Sequence, residues 1–426
     1  MTAEIADIAE LDLARYIRPG DTIAWGQACA EPLSLVEALA QQRERLGGVR
    51  CFTGISNTGT LRPEHGDWLS FVSYSAAGSN RTLRAAGVLD ILPCHYSQLP
   101  AILGSGALKI DVVLLCLPPA HADGSFALGL GADYVATLIG RARIVIAEVN
   151  DQVPLVRSDR KLDRAEIDVL VRTSRAPAEY PQAPPGHVDT AIAAHIAGLV
   201  PDGATIQLGI GSMPSAVGRG LSGHRDLGIH SGMITDAVAE LIGAGVVNGA
   251  RKSVDRGLAV TGFLMGTQAL IQRAAADPAI QLRDTVYTHD PAVLAAQHQF
   301  VAINSATEVD LTGQVNAETA GGRYIGAVGG ASDFLRGATR SPGGVPVIAL
   351  PSTAASVAGS TSRIVAQLSG PASQARADAG VIVTEYGIAD LRGLTLDQRR
   401  KRMLAIAHPD HQAALEAAAD HAVTFG

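Results

Sequence analysis

Pro201-Asp202-Gly203-Ala204-Thr205-Ile206-Gln207-Leu208-Gly209 reads as a turn, a strand and a glycine turn, leading to Pro214 and a helical pattern through Leu221. Pro19-Gly20-Asp21-Thr22-Ile23-Ala24-Trp25-Gly26 reads the same way and leads to Pro32 and a helical pattern through Leu39. In both, a proline falls near the first turn of the helix, where its missing N–H removes no helical bond. A second echo follows in the same order. His95 to Leu103, the apolar run Val112 to Leu117 and a turn at Asp123-Gly124 are matched by His289 to Leu294, Phe300 to Ile303 and a turn at Thr312-Gly313. One such echo is within the reach of chance between two strand–helix units; two in one order favour duplication.

The runs Val112–Leu117, Ile144–Glu148, Val345–Leu350 and Val381–Thr384 are continuously apolar and rich in β-branched residues. They alternate with helical patterns such as Ile192–Leu199 and Asp236–Ala244. Strands without polar alternation are buried on both faces, so the expected fold is α/β: two similar open domains with largely parallel sheets. Ser174 to His187 carries Pro177, Pro181, Pro184 and Pro185 and reads as a linker. The expected domains are residues 1–180 and 187–426.

Composition narrows the function classes. The 426 residues are 47% hydrophobic and 18% charged, enough for two domains of roughly 200 residues with their own cores. Aromatics are only 4% against 46 glycines, so packing rests on aliphatic side chains and close backbone approach. A net charge of -7 without a basic block argues against a nucleic-acid surface, and leaves room for a local polyanion pocket. The four cysteines, Cys29, Cys51, Cys94 and Cys116, form no Cys-x-x-Cys pair, so neither a metal site nor a disulfide framework is expected. None has a neighbour that would make it a thiolate nucleophile. The first twenty residues lack an apolar signal core, and no run of about 18 apolar residues occurs. A cytoplasmic location without membrane contact is the expectation.

Several motifs carry chemistry. Gly209-Ile210-Gly211-Ser212-Met213 follows a strand and opens a helix, whose free N–H groups suit an anion or oxyanion; a tight turn with no ligand has the same pattern. Gly326-Ala327-Val328-Gly329-Gly330-Ala331-Ser332-Asp333 reads as a flat wall for a thioester or pantetheine arm, or as a bulge or hairpin; Arg336 beyond it could meet a phosphate or carboxylate. Glu385 ends a strand and is either a base or an acceptor for backbone amides. Glu308 alternates with apolar neighbours, facing a cleft or capping the turn at Thr312-Gly313. His230 is a candidate catalytic histidine or a satisfied core histidine. His408 and His411 read as solvent-facing.

At these motifs the chain resembles the acetyl-CoA hydrolase/transferase family, and within it the 4-hydroxybutyrate CoA-transferase branch. The likeness runs nearly end to end. It includes Ala30-Glu31-Pro32, Ala147 to Pro154, Leu208 to Pro214, Phe263 to Thr267, Val309 to Gln314, Gly326 to Gly337, Val383 to Gly393 and Ile406 to Asp410. The resemblance implies acyl-CoA bound at the interface of two open α/β domains, commonly in a homodimer, with no tightly bound cofactor. It also implies a ping-pong reaction in which a glutamate carboxylate attacks the thioester, and mixed-anhydride and glutamyl-CoA intermediates follow. Glycine-turn amides would hold the oxyanions.

Two departures stand out. Gly232, within Leu227-Gly228-Ile229-His230-Ser231-Gly232-Met233-Ile234-Thr235-Asp236, occupies the place of the family's nucleophilic glutamate. Lysines that family members carry around Ala355 to Val357, where they can meet CoA phosphates, are missing. The expected function is therefore thioester processing without a glutamyl intermediate. An acyl group would pass from coenzyme A, or from phosphopantetheine on an acyl carrier protein, to water, an amine or an alcohol, with His230, Glu308 or Glu385 as base. A CoA-transferase using a substitute carboxylate and a non-catalytic partner subunit are the alternatives.

Overall fold

The computed structural model describes residues 2–356 and 359–422. Its contacts divide the chain into two compact units. The first contains an eight-stranded sheet built from β1 (Ala3–Ile5), β2 (Thr22–Trp25), β3 (Val49–Phe52), β4 (Leu69–Ser73), β5 (Leu89–Ile91), β6 (Val112–Leu117), β7 (Ile144–Asn150) and β8 (Val169–Thr173). The order is β1-β8-β7-β6-β2-β3-β4-β5, and every pairing is parallel. All six residues of β6 are buried, as its unbroken apolar run requires in a sheet covered on both faces. Helix α1 (Leu33–Leu46) ends where Gly47 turns left-handed at φ 71°, a geometry glycine adopts without steric cost. Leu35, Val36 and Leu39 of α1 pack with Trp25, Cys51 and Leu114 of the sheet in one hydrophobic cluster of the core.

The later strands are β9 (Thr205–Leu208), β10 (Gly228–Ile234), β11 (Ala259–Leu264), β12 (Ile280–Leu282), β13 (Phe300–Ser305), β14 (Val345–Ala349), β15 (Val381–Thr384) and β16 (Gly387–Asp390). Their order is β16-β15-β14-β13-β9-β10-β11-β12, extended beyond β12 by the short strand Arg157–Ser158; only β16 is known to run antiparallel to its neighbour. The two sheets repeat one topology. Around β2 stand β3, β4 and β5 on one side and β6, β7 and β8 on the other. Around β9 stand β10, β11 and β12, then β13, β14 and β15. The echo read at Pro19 and Pro201 thus returns as a repeated strand order, with helices α2 (His187–Ala197), α3 (Ser212–Gly220), α4 (Asp236–Gly243) and α5 (Ala331–Arg340) among the later connections.

The units differ from the boundaries 1–180 and 187–426. The first comprises Met1–Pro181 together with Ser231–Ala239 and Leu258–Asp290; the second comprises Gln182–His230, Glu240–Gly257 and Pro291–Gly426. The cut falls inside β10, between His230 and Ser231. The physical reason lies in long-range pairing within the first unit, where β12 pairs with Arg157–Ser158, Gly131 bridges Phe263 and Asp133 bridges Asp284. The proline-rich linker is also pinned rather than loose: Tyr180 is fully buried and its N–H donates to Gly266 O. Among the described residues no helix is long and apolar enough to cross a membrane.

Candidate functional site

Along β10 every residue is buried except Gly232, which is partly exposed. Side chains alternate across a strand, so His230, position 232 and Ile234 share a face, and at the middle position there is no side chain. The Gly232 backbone is closely approached in the first unit. A Cβ on Gly262 of β11 would stand 2.6 Å from Gly232 O and 3.6 Å from the Asp133 Cβ, so Gly262 has room only for glycine.

Asp133 centres a buried polar cluster. Its backbone has φ 27°, and nearby Ala28 has φ 51°. Side-chain-bearing residues held there cost of order 1–3 kcal/mol each and gather at functional sites. Gln27 Nε2 donates to Asp133 Oδ2 at 3.0 Å and to the Tyr96 hydroxyl at 2.5 Å, while its Oε1 accepts from Tyr74 Oη and Ile55 N. Val135 N donates to Asp133 Oδ1. Burial pushes the Asp133 carboxyl up to about 6 and raises Tyr74, Tyr96 and Tyr134 well above the usual phenol range. The Tyr96 ring lies 4.8 Å from the His289 ring.

A second buried acid lies in the same unit. Glu31, just before α1, is 3% exposed. Ser56 Oγ donates to its Oε2 at 2.8 Å and Thr58 Oγ1 reaches both oxygens at 3.4 Å. Burial lifts its carboxyl to about 7 against the pull of these donors, of Tyr180 and of Arg175. Arg175 is itself engaged by Glu37. The Thr58–Thr60 loop opens on a cavity of about 440 Å³, lined also by Glu37, Arg43, Arg62 and Arg175. Cys29 donates to Gly266 O and is pushed up to about 12 by burial, which leaves it a thiol. Cys51, Cys94 and Cys116 are also buried, and none is in a disulfide.

In the second unit the carboxyl ends of β9, β13, β14 and β15 carry the glycine turn and polar side chains, the edge where parallel sheets bind ligands. Gly209 N donates to Ile303 O, and the amides of Gln207 and Asn304 pair at 2.9 and 3.3 Å. Gly209, Ile210, Gly211 and Ser212 are partly exposed, whereas Met213 is buried. Gly211 has φ 113°, a backbone that favours glycine, and stands at the N-cap of α3. The second glycine segment leads from the antiparallel pair Thr319–Ala320 and Arg323–Tyr324 into α5, and at its start Ile325 N and Gly326 N both donate to Glu318 O, two residues against one as in a bulge. Gly329 has φ 55°, Gly330 precedes the helix and Asp333 stands in its first turn. Arg336 does not await a ligand; Asp378 takes its Nε and Nη2.

The three expected bases are all in this unit. His230 is fully buried, its Nδ1 3.3 Å from Gln297 Nε2. Glu308 accepts from Ser369 N and Oγ and from Asn316 Nδ2. Asn316 also accepts from Glu318 N, which joins Glu308 to the Gly326 turn. Glu385 accepts from Ser352 N and Oγ with one oxygen each. Beside it, burial lowers the Arg363 guanidinium, partly offset by Glu385. Of the lysine-free stretch, Thr353–Ser356 pairs with Gly359–Ser362 as a hairpin; Val357 lies outside the described residues. His408 is partly buried against Tyr386, and His411 meets Ser360 Oγ.

Comparison with known proteins settles the kinship. The acetyl-CoA hydrolase/transferase N-terminal domain matches residues 6–178 and its C-terminal domain matches 266–419. The 4-hydroxybutyrate coenzyme A transferase of Clostridium kluyveri is 35% identical over 397 residues, covering 92% of each chain. The chain belongs to the acetyl-CoA hydrolase/transferase family. It is thus a member of a family of enzymes that act on acyl-CoA, as transferases or hydrolases. RipA from Yersinia pestis superposes with a TM-score of 0.90 at 34% identity, covering 96% of both chains. A 4-hydroxybutyrate CoA-transferase from Porphyromonas gingivalis gives 0.82 at 31%, covering 99% of this chain and 98% of its own.

In this acetyl-CoA hydrolase/transferase member, the sequence reading did not single out Gln27, Asp133 or Glu31 as buried polar centres. The signals were present. Asp133 follows Gly129-Leu130-Gly131, where glycines let backbones close in, and Glu31 is a lone acid between Cys29-Ala30 and Pro32. Neither signal states that the acid is enclosed, which depends on residues far away in the chain.

Proposed function

We propose that this family member passes an acyl group from a coenzyme A or carrier-protein thioester directly to a non-CoA acceptor, water, an amine or an alcohol, with no glutamyl intermediate. The observation that carries the reading is the partly exposed Gly232 in an otherwise buried β10. A covalent relay needs a carboxylate on the protein, and glycine offers none. The opening instead suits an acceptor molecule. The turns Gly209–Met213 and Gly326–Asp333 are proposed to cradle the thioester, with N–H groups for the oxyanion. His230, Glu308 and Glu385 were the bases expected. Glu308 and Glu385 spend both oxygens on loop donors, and His230 has no exposed surface, which argues against all three as the proton acceptor.

The test is mass spectrometry of products from a panel of acyl-CoA and acyl-carrier thioesters. The expected result is free acid or a new amide or ester, without exchange of CoA between carboxylates. A carboxyl adduct trapped with hydroxylamine or borohydride during turnover overturns direct transfer in favour of a substitute carboxylate. Gly232→Glu restores a side chain at the vacated place and is expected to gain CoA exchange.

A further inference from the structure

We infer that Glu31 is the proton store of the reaction, connected to solvent through the hydroxyls of Ser56, Thr58 and Thr60. The inference rests on the direct-transfer reading and adds to it the group that handles the proton. The chain of hydroxyls is continuous. Thr60 Oγ1 donates to Thr58 Oγ1 at 3.0 Å, Thr58 and Ser56 hydroxyls are 3.1 Å apart, and Ser56 donates to the enclosed carboxyl at 2.8 Å. Its outer end, Thr58 and Thr60, lines the 440 Å³ cavity. Hydroxyls both donate and accept, and their hydrogens rotate, so such a file passes protons where fixed amide donors do not.

The store is tied to the strand that carries the vacancy. Gly266 O accepts from Cys29 Sγ and Tyr180 N, which flank Glu31, while Met265 N donates to Ile234 O at the end of β10. Ala30, adjacent to Glu31, lies against Gly131, which bridges Phe263 beside Gly262. The groups facing Glu31 are the hydroxyls of Ser56, Thr58 and Tyr180, the Tyr134 phenol farther off, and Arg175, whose charge is held by Glu37. Burial without a dedicated cation places its carboxyl near neutrality, where it can both take and return a proton.

The step balances. As the acceptor's O or N bonds to the thioester carbonyl carbon, its proton passes by way of the Thr58 and Ser56 hydroxyls to the Glu31 carboxylate. As the C–S bond breaks, the proton returns to the leaving thiolate. In hydrolysis the acid product ionises, and the hydroxyl file re-equilibrates Glu31 with solvent. Glu31 acts through Ser56 and Thr58 and is therefore a positioning residue.

The experiment compares full-length wild type with Glu31→Gln, Thr58→Val and Thr58→Ser. Glu31→Gln is expected to lower kcat by roughly 10²–10⁴-fold and to abolish the rise of rate with pH near neutrality, with affinity for an unreactive thioether analogue unchanged. Thr58→Val slows turnover and Thr58→Ser restores it, which a packing role for this exposed loop would not produce. Unchanged rate and pH profile in Glu31→Gln, or equal rates in the two Thr58 variants, overturns the inference. Infrared titration keeps it separable from the direct-transfer reading. If wild type processes no thioester, that reading falls. A carboxyl band that titrates near neutrality and disappears in Glu31→Gln still supports the store, and a Glu31 carboxyl that does not titrate there overturns it.

Discussion

Glu31 and Glu308 are both buried glutamates reached by serine hydroxyls, at 3% and 9% exposure, and they differ in what else holds them. Around Glu308 the donors include the main-chain Ser369 N–H and the Asn316 side-chain amide. Those donors are fixed and can only give hydrogen bonds, so they lock one geometry. Around Glu31 the close donors are hydroxyls, which tolerate either state of the carboxyl. The first arrangement builds a loop; the second allows proton traffic. A buried acid is therefore assigned by its partners, not by its burial.

The largest effect expected from this contrast falls on stability. Glu308→Ala removes the acceptor that Asn316 and the Ser369 N–H and hydroxyl share and empties a buried site; Asn316 keeps Thr319 and Ser369 reaches water, so the lost bonds and lost packing together cost about 2–4 kcal/mol. Urea unfolding measures it, and the pH profile of any remaining activity should keep its shape. A Glu308→Ala protein as stable as wild type would remove the distinction between the two glutamates.

A smaller effect concerns pH. Glu31 ionises near 7 in the folded chain against 4.5 as its ordinary value, and Asp133 near 6 against 3.8. Both are raised, so the folded state binds the extra proton. Their stabilising contribution is complete below the ordinary values and is lost as pH rises through about 6 for Asp133 and about 7 for Glu31. For Glu31 the span is on the order of 3 kcal/mol. Thermal midpoints should fall between about pH 5 and 8, and Glu31→Gln should flatten that fall.

How legible was this in the chain? The repeated strand order was legible, because Pro-Gly-Asp and Pro-Asp-Gly turns, unbroken apolar runs and first-turn prolines are local signals. The Gly209–Met213 turn reads as opening a helix and does precede α3; Gly326–Asp333 reads as a flat wall, a bulge or a hairpin, and its lead into α5 has no local signal in the sequence. The division of units was not legible, since it depends on Asp133 meeting Asp284 and Gly131 meeting Phe263 across more than a hundred residues. Neither was the state of Glu31, because Ser56, Thr58 and Tyr180 are brought to it by β3 and by the pinned linker. The expected bases were read from their position at strand ends, and that signal does not distinguish an open carboxylate from one already filled by Ser352 or Ser369.

The smallest expected effect tests the same lesson on a cation. Arg336 follows the second glycine turn and reads in sequence as an anion receptor. In the fold its guanidinium donates twice to Asp378 Oδ2, at 3.0 and 2.8 Å, with the Arg336 side chain 45% exposed. An ion pair this exposed contributes about 0–1 kcal/mol, less at high salt. Arg336→Ala should therefore shift unfolding by under about 1 kcal/mol and leave thioester affinity unchanged. Isothermal titration at two ionic strengths separates the outcomes. If Arg336 binds substrate phosphate, its loss weakens binding strongly and reduces the salt dependence, because a charge-assisted bond contributes about 1.5–3 kcal/mol. If Asp378 holds it, both measurements stay where they were, and the cation, like Glu308, belongs to the scaffold.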